Sequence, residues 1–257
     1  MKVIILAGGF GTRISEETKS IPKPMVKIGD KPIIWHIMKT YSHYGFNDFI
    51  ICLGYKGYVI KEYFANYFLH TSDVTINMQE NSMQVHDSTS EPWKVTLVET
   101  GLNTMTAGRV KRIQKYTENK PFMLTYGDGI ANINIKELMN THIKNNSIST
   151  LTAIEVNSRF GKIDIANNGK IKHFIEKPKF TNEWINGGYF VCNPDFFDYI
   201  EDNDEEVLER KPLEKLAKAN KLSAYKHKGF WKPMDTLRDN IELNKLWSEG
   251  EAPWKVW

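Results

Sequence analysis

The chain has 257 residues, 41% hydrophobic and 25% charged, with a formal net charge of +3 at pH 7. That profile fits a soluble globular protein with a substantial core, and so small a charge excludes binding to nucleic acid or a membrane surface through a bulk basic field. No apolar run approaches the roughly 18 residues of a membrane span, and Cys52 and Cys192 lie in strand-like apolar runs, as buried thiols of a reducing compartment do rather than as a disulfide or metal pair. Met1 leads straight into a strand-like run, so no signal peptide and a cytoplasmic location are expected.

Residues 2–7 form an apolar run that reads as a strand buried on both faces of a parallel sheet. It gives way to Gly8, Gly9 and Gly11, followed by Thr12 and Arg13. Glycines at a strand end let the backbone approach a ligand and turn its amides toward an anion. Lys23 is held between Pro22 and Pro24, which nearly fixes its position. Together these residues are equipped to grip a polyphosphate. Two common nucleotide grips are excluded: Ile14 breaks the dinucleotide fingerprint begun by Gly9-Phe10-Gly11, and no Gly-Lys-Ser or Gly-Lys-Thr closes a P-loop.

Residues 31–44 place Ile33, Ile34, Ile37, Met38 and Tyr41 at helical spacing, and Gly45 stops the helix. A second buried strand is expected at 49–53 and a second amphipathic helix at 58–68. Strands follow at 74–79 and 95–99, with a polar irregular stretch at 80–92 between them. Residues 104–118 read as helical; Arg109 and Lys111 near its start oppose the helix dipole, so some local contact must hold Arg109. The strand at 121–126 ends in Gly127-Asp128-Gly129. Strands alternating with helices imply a parallel sheet with right-handed crossovers and ligands at the strand C-termini, which puts residues 8–13 and Asp128 in one crevice. A carboxylate there suits a Mg²⁺ that also touches phosphate oxygens, although Asp-Gly is equally an ordinary turn.

From residue 149 the pattern changes. Strands at 149–156, 162–165, 170–175 and 188–192 are closely spaced, with a hairpin turn at Asn167-Asn168-Gly169, and read as an antiparallel extension placed to close over the crevice. Helices return at 205–220 and 237–249. Asp235 stands between the last strand, 223–227, and the last helix, as a metal ligand or as a helix N-cap. Glu176-Lys177-Pro178 follows a strand, as a functional pair or a solvated strand end. The histidines show neither metal-ligand spacing nor a nucleophile partner, and no Gly-x-Ser-x-Gly occurs, which excludes zinc and hydrolase chemistry. Trp247, Trp254 and Trp257 either fold back on the chain or anchor a neighbouring subunit.

Residues 6–13 with Pro22-Lys23-Pro24, then Gly127-Asp128-Gly129, 174–178 and 186–190 in that order, resemble the signature set of the sugar-1-phosphate nucleotidyltransferases over nearly the whole chain. Residues 125–129 and 230–239 look most like the glucose-1-phosphate cytidylyltransferase branch, and one departure is Glu16, where many relatives have proline. The resemblance implies an α/β Rossmann-like nucleotidyltransferase fold, with a mostly parallel central sheet flanked by helices and a smaller antiparallel sugar-binding lobe. It implies a single domain, 1–257, with a nucleotide-binding part at 1–148 and the sugar lobe and C-terminal helices at 149–257. The implied reaction is Mg²⁺-dependent transfer of CMP from CTP to α-D-glucose 1-phosphate, giving CDP-glucose and pyrophosphate for dideoxysugar and surface-polysaccharide synthesis. Uridylyl or thymidylyl transfer to the same sugar phosphate, or a catalytically silent nucleotide-sugar-binding regulatory subunit, are the alternatives.

By the same resemblance, Asp128 and Asp235 hold Mg²⁺, Arg13 clamps the β- and γ-phosphates, and Lys23 sits over the α-phosphate. Lys177 holds the sugar phosphate, while Glu176 and the Gly188 backbone read sugar hydroxyls. The base lies against Leu6, Ala7, Gly8 and Gly9, next to Phe10, Gly11 and Thr12 of the glycine loop, with Thr104, Gly108 and Arg109 around it. A homo-oligomer is expected, with no nucleic-acid or membrane partner and no appended acyltransferase domain.

Overall fold

A strand that follows Lys2 with apolar residues alone cannot alternate between core and solvent, so it has to be covered on both faces. In the computed structural model, which describes residues 1–11, 20–155, 162–176 and 183–257, that strand is β1 (Lys2–Leu6), with Val3, Ile4 and Ile5 fully buried. β1 pairs in parallel with β2 (Asp48–Leu53) on one side, and β2 in parallel with β3 (Lys94–Glu99). On its other side β1 pairs in parallel with β4 (Phe122–Tyr126). β5 (Ser149–Glu155), β6 (Trp184–Cys192) and β7 (Leu222–His227) complete a seven-stranded sheet of order β7-β5-β6-β4-β1-β2-β3. Strands of both parts of the chain thus lie in one sheet.

β6 alone runs against its neighbours, antiparallel to both β4 and β5, whereas β7 pairs in parallel with β5. Its direction matters for the site. The parallel strands present their C-terminal ends to one edge, and β6 brings its beginning there: Tyr189 pairs with Thr125, so Gly188 falls level with Tyr126, the last residue of β4, and the residues before it reach past that end.

The two faces of the sheet carry two packed clusters, and β1 feeds both: Val3 and Ile5 enter one, Ile4 and Leu6 the other. The first includes helix α1 (Ile33–His43), which buries Ile33, Ile34, Trp35, His36, Ile37, Met38, Thr40 and Tyr41. A helix apolar on nearly every side must be covered twice. The sheet covers one side of α1. The other is closed by α6 (Leu237–Ser248) and the tail, with Trp254 fully buried and its ring stacked 5.5 Å from that of Phe230. Trp257 lies 5.8 Å from Trp35, ring to ring, so the aromatic tail packs on its own chain. Between α1 and α6 come α2 (Gly57–Ala65), α3 (Thr106–Arg112), α4 (Ile135–Asn145) and α5 (Lys211–Lys218). Among the described residues no helix is long and apolar enough to cross a membrane.

Two hairpins stand off this body. Part of the stretch expected to be irregular, Ser82–His86, is a strand paired with Asp73–Asn77. Its apolar residues were not recognisable as a strand because they face solvent: Met83 and Val85 are both exposed. The second hairpin, Lys162–Ile165 with Ile171–Ile175, turns at Gly169 with φ +80° and is exposed throughout its second strand. It is the part of the expected antiparallel extension that leaves the sheet; β5 and β6 do not. Cys52 and Cys192 are buried and unpaired, and burial pushes both thiols up to about 12.

Candidate active site

A cavity of about 660 Å³ opens where β1, β4 and β6 reach the sheet edge. Leu6, Ala7, Gly8, Gly9, Phe10 and Gly11 form one stretch of its wall, Thr104 and Arg109 another, and Gly188 a third; Lys23, Asp128 and Asp235 also line it and meet one another there. Crossover logic put residues 8–11 and Asp128 in this crevice. Pairing across the chain supplies the rest.

Asp128 and Asp235 are brought together by a short antiparallel ribbon, Gly129–Ala131 with Trp231–Pro233. The Met234 amide extends it by donating to the Asp128 carbonyl at 2.8 Å. Asp235 does not cap the following helix. That task falls to Thr236 at the start of α6, whose hydroxyl accepts from the Asp239 amide while the Asp239 carboxylate accepts from the Thr236 amide. The Asp235 carboxylate is thereby left to the site.

Lys23 opens a single 3-10 turn, Lys23–Met25, between its two prolines. Its Nζ donates to Asp128 Oδ2 at 2.7 Å and to Asp235 Oδ1 at 2.6 Å. Burial alone would pull the ammonium pKa down, but the two carboxylates outweigh it and the net direction is up, so Lys23 is charged. The resemblance places this lysine over a phosphate; in the structure it joins the two expected metal ligands.

That geometry also tests the predicted metal. Two carboxylate oxygens converge on one cationic point, which is the protein share of a Mg²⁺ site completed by phosphate oxygens and water. Among the described residues no group of three or more His, Cys, Asp or Glu side chains converges as a metal cage. The donor set therefore fits an ion that arrives with a phosphate ligand.

Arg109 is 4% exposed and, because the helix is only Thr106–Arg112, stands in its last turn, where a cation agrees with the helix dipole instead of opposing it. Its Nη1 donates to the carbonyls of Leu53 and Gly101 and to the Thr100 hydroxyl, at 2.8–3.0 Å. Its Nη2 donates to the carbonyls of Gly8 and Leu102, at 3.0 and 3.3 Å. The guanidinium thus ties the last residue of β2 to the loops that follow β1 and β3. Gly8 is required for this, since a Cβ there would lie 2.1 Å from Arg109 Nη1.

Two predicted residues lie off the wall. Gly108 faces the Asn203 carbonyl, where a Cβ would come within 2.7 Å, so its smallness serves the packing of α3. Glu176 is exposed at the end of the outer hairpin and is not part of the cavity lining. Thr12, Arg13 and Lys177 lie outside the described residues. Conversely, Tyr126, Asn186 and Trp231 line the cavity without having been singled out, although each lies in a stretch that carried the resemblance. Tyr126 donates to Glu209; burial first, and that carboxylate second, push its phenol well above the usual range.

A mostly parallel α/β sheet with a glycine loop, a lysine and paired carboxylates at its strand ends defines a nucleotide-handling enzyme of the nucleotidyltransferase class. The chain belongs to the Nucleotidyl transferase family, whose model matches residues 2–249. It is 56% identical over 258 residues to the glucose-1-phosphate cytidylyltransferase of Salmonella typhimurium (strain LT2), covering 100% of both chains. It is 45% identical to the probable glucose-1-phosphate cytidylyltransferase of Bacillus subtilis (strain 168), again over 100% of both. Among solved structures, HddC from Yersinia pseudotuberculosis superposes with a TM-score of 0.69 at 23% identity, over 96% of this chain and 99% of that one, a likeness of fold.

Proposed function

We propose that this chain transfers the cytidylyl group of CTP to α-D-glucose 1-phosphate, releasing pyrophosphate and forming CDP-glucose. The convergence of Lys23, Asp128 and Asp235 beside the glycine loop supports the chemistry. The full-length 56% identity with the Salmonella enzyme supports the choice of substrates. A phosphate oxygen of the sugar phosphate attacks the α-phosphorus of CTP in line; a new P–O bond forms as the bond to the β-phosphate breaks, and pyrophosphate leaves. Such a transfer needs positioning and charge neutralisation rather than a covalent nucleophile.

Enzymes of this family generally use a divalent metal, and we assign Mg²⁺ here. Asp128 and Asp235 would hold it, and when bound it neutralises charge on the phosphates. Lys23, released from the carboxylates, would move to the α-phosphate. Arg13 would take the β- and γ-phosphates, and Lys177, with Glu176 beside it, the sugar phosphate and hydroxyls. The base would lie against residues 6–9 and Thr104, on a wall whose shape Arg109 maintains; Gly108 has no part in it. The protein acts as a cytoplasmic homo-oligomer that supplies CDP-glucose to dideoxysugar and polysaccharide synthesis, and the exposed Ile76, Met83, Ile165 and Phe174 of the two hairpins support self-association.

The test is pyrophosphate release with glucose 1-phosphate and Mg²⁺, supplying CTP, UTP, dTTP, ATP and GTP in turn. Release with CTP far above the others is expected. A preference for UTP or dTTP would overturn the substrate assignment while keeping the class.

A further inference from the structure

The cavity wall opposite Arg109 is built by a defect in the sheet. Along β6 and β5, Phe190 pairs with Leu151 and Asn186 with Ala153, so Gly187, Gly188 and Tyr189 stand opposite Thr152 alone. Extra residues on one strand make a bulge, which bends the strand and redirects its backbone. Gly187 and Gly188 thereby line the cavity. Gly188 has φ +79°, and the Tyr126 ring fills the place of a Cβ, with its nearest carbon at 2.4 Å. No side chain is admitted here, so this wall presents peptide groups.

One peptide unit, between Gly187 and Gly188, is pinned at both ends. Its N–H donates to Asn186 Oδ1 at 2.9 Å, and its carbonyl accepts the indole N–H of Trp231 at 2.7 Å. Two adjacent glycines would otherwise leave this plane free to flip, exchanging the positions of donor and acceptor. Trp231 also begins the ribbon strand Trp231–Pro233, which pairs with Gly129–Ala131 and leads directly to Asp235. The indole therefore ties the bulge to the unit that carries both carboxylates. Trp231 is half-buried, and its indole N–H is spent on the carbonyl whose orientation sets this wall.

We propose that Trp231 is a positioning residue for the sugar phosphate: its indole N–H fixes the Gly187–Gly188 peptide against the acceptor's side of the cavity. The inference rests on the reading above, in which the Gly188 side of the cavity receives the sugar.

The test is Trp231→Phe in the full chain, which keeps an aromatic ring and removes the N–H, with initial rates measured while each substrate is varied. Loss of this hydrogen bond is expected to raise the KM for glucose 1-phosphate about tenfold while the KM for CTP stays within about twofold. The unchanged CTP term also reports that the variant is folded. Asn186→Ala frees the other end of the same peptide and is expected to give the same asymmetry; it decides the matter if the Phe variant does not fold. An equal rise in both KM values, or no change in either, overturns the proposal. Absence of wild-type turnover with every nucleotide would defeat the functional reading instead. Calorimetric binding of glucose 1-phosphate and of CTP to wild type and variant would then read the same asymmetry.

Discussion

The two walls of the cavity are held by different kinds of bond. On the side of Arg109, one buried cation gathers five acceptors from the end of β2 and the loops after β1 and β3. On the side of β6, a neutral peptide is held by an indole N–H and a carboxamide oxygen. A buried charge that satisfies several carbonyls cannot be removed without stranding all of them, whereas a neutral pair costs little to retune. The Arg109 wall is thus the more rigid, and the β6 wall the one where small changes alter the fit of a ligand without unsettling the fold. Between them lies the seam of Lys23, Asp128 and Asp235.

The seam should be the most sensitive place. Lys23→Met is expected to lower kcat by about a hundredfold or more, because a charge placed for the transition state is lost. In the same variant, Mn²⁺ titrated into nucleotide-free protein and followed by electron paramagnetic resonance should bind more tightly, since the two carboxylates lose their internal cation. Unchanged turnover and unchanged Mn²⁺ affinity together would detach the seam from both walls.

Next in size is Arg109→Met. Four carbonyls and the Thr100 hydroxyl lose their donor, and roughly 3 kcal/mol or more of stability should go with them. For a chain of this size that is a fall in Tm of about 6–12 °C, measurable by calorimetry. A Tm within about a degree of wild type would erase the contrast between the walls.

A smaller effect tests the aromatic packing around α1, on the sheet face away from α3. His36 on α1 is fully buried among Trp247, Trp254 and Trp257, with Nε2 3.0 Å from the Ile28 carbonyl. Burial pushes its pKa from 6.5 down to about 4. The folded state therefore resists protonation: its contribution is complete above pH 6.5 and declines as the pH falls toward 4. At pH 5 the loss should be about 2 kcal/mol. Thermal melts at pH 7 and pH 5 should separate less for His36→Asn than for wild type. Equal separations would move the acid sensitivity to other groups, such as His142 and His227, whose pKa values burial also lowers.

Much of this was legible in the residues. The core strands read directly because runs such as Val3, Ile4 and Ile5 have no polar alternative, and Gly8 with Lys23 named a phosphate grip because backbone freedom and proline restraint are local properties. In the hairpin of Asp73–Asn77 and Ser82–His86 the first strand was legible and the second was missed, since its Met83 and Val85 face outward and carry no burial signal. Gly108 was read as part of the site because a glycine beside a helix start can serve a ligand or a neighbour, and only the Asn203 carbonyl distinguishes them. Asp235 had a helix N-cap as its alternative until Thr236 and Asp239 were seen to fill that role.

The sequence by itself determined the buried strands, the glycine loop, the fixed lysine and the strand-end Asp128, because each follows from φ restriction, side-chain volume or apolar periodicity over a few neighbouring residues. Only the tertiary structure decided that Lys23 would lie between Asp128 and Asp235, that Arg109 would serve loop carbonyls, and that β6 would run backwards and bulge Gly187 and Gly188 into the cavity. Those outcomes depend on strand direction, register and hydrogen-bond partners set by distant segments, and no local pattern encodes which partner a charged or polar group will meet.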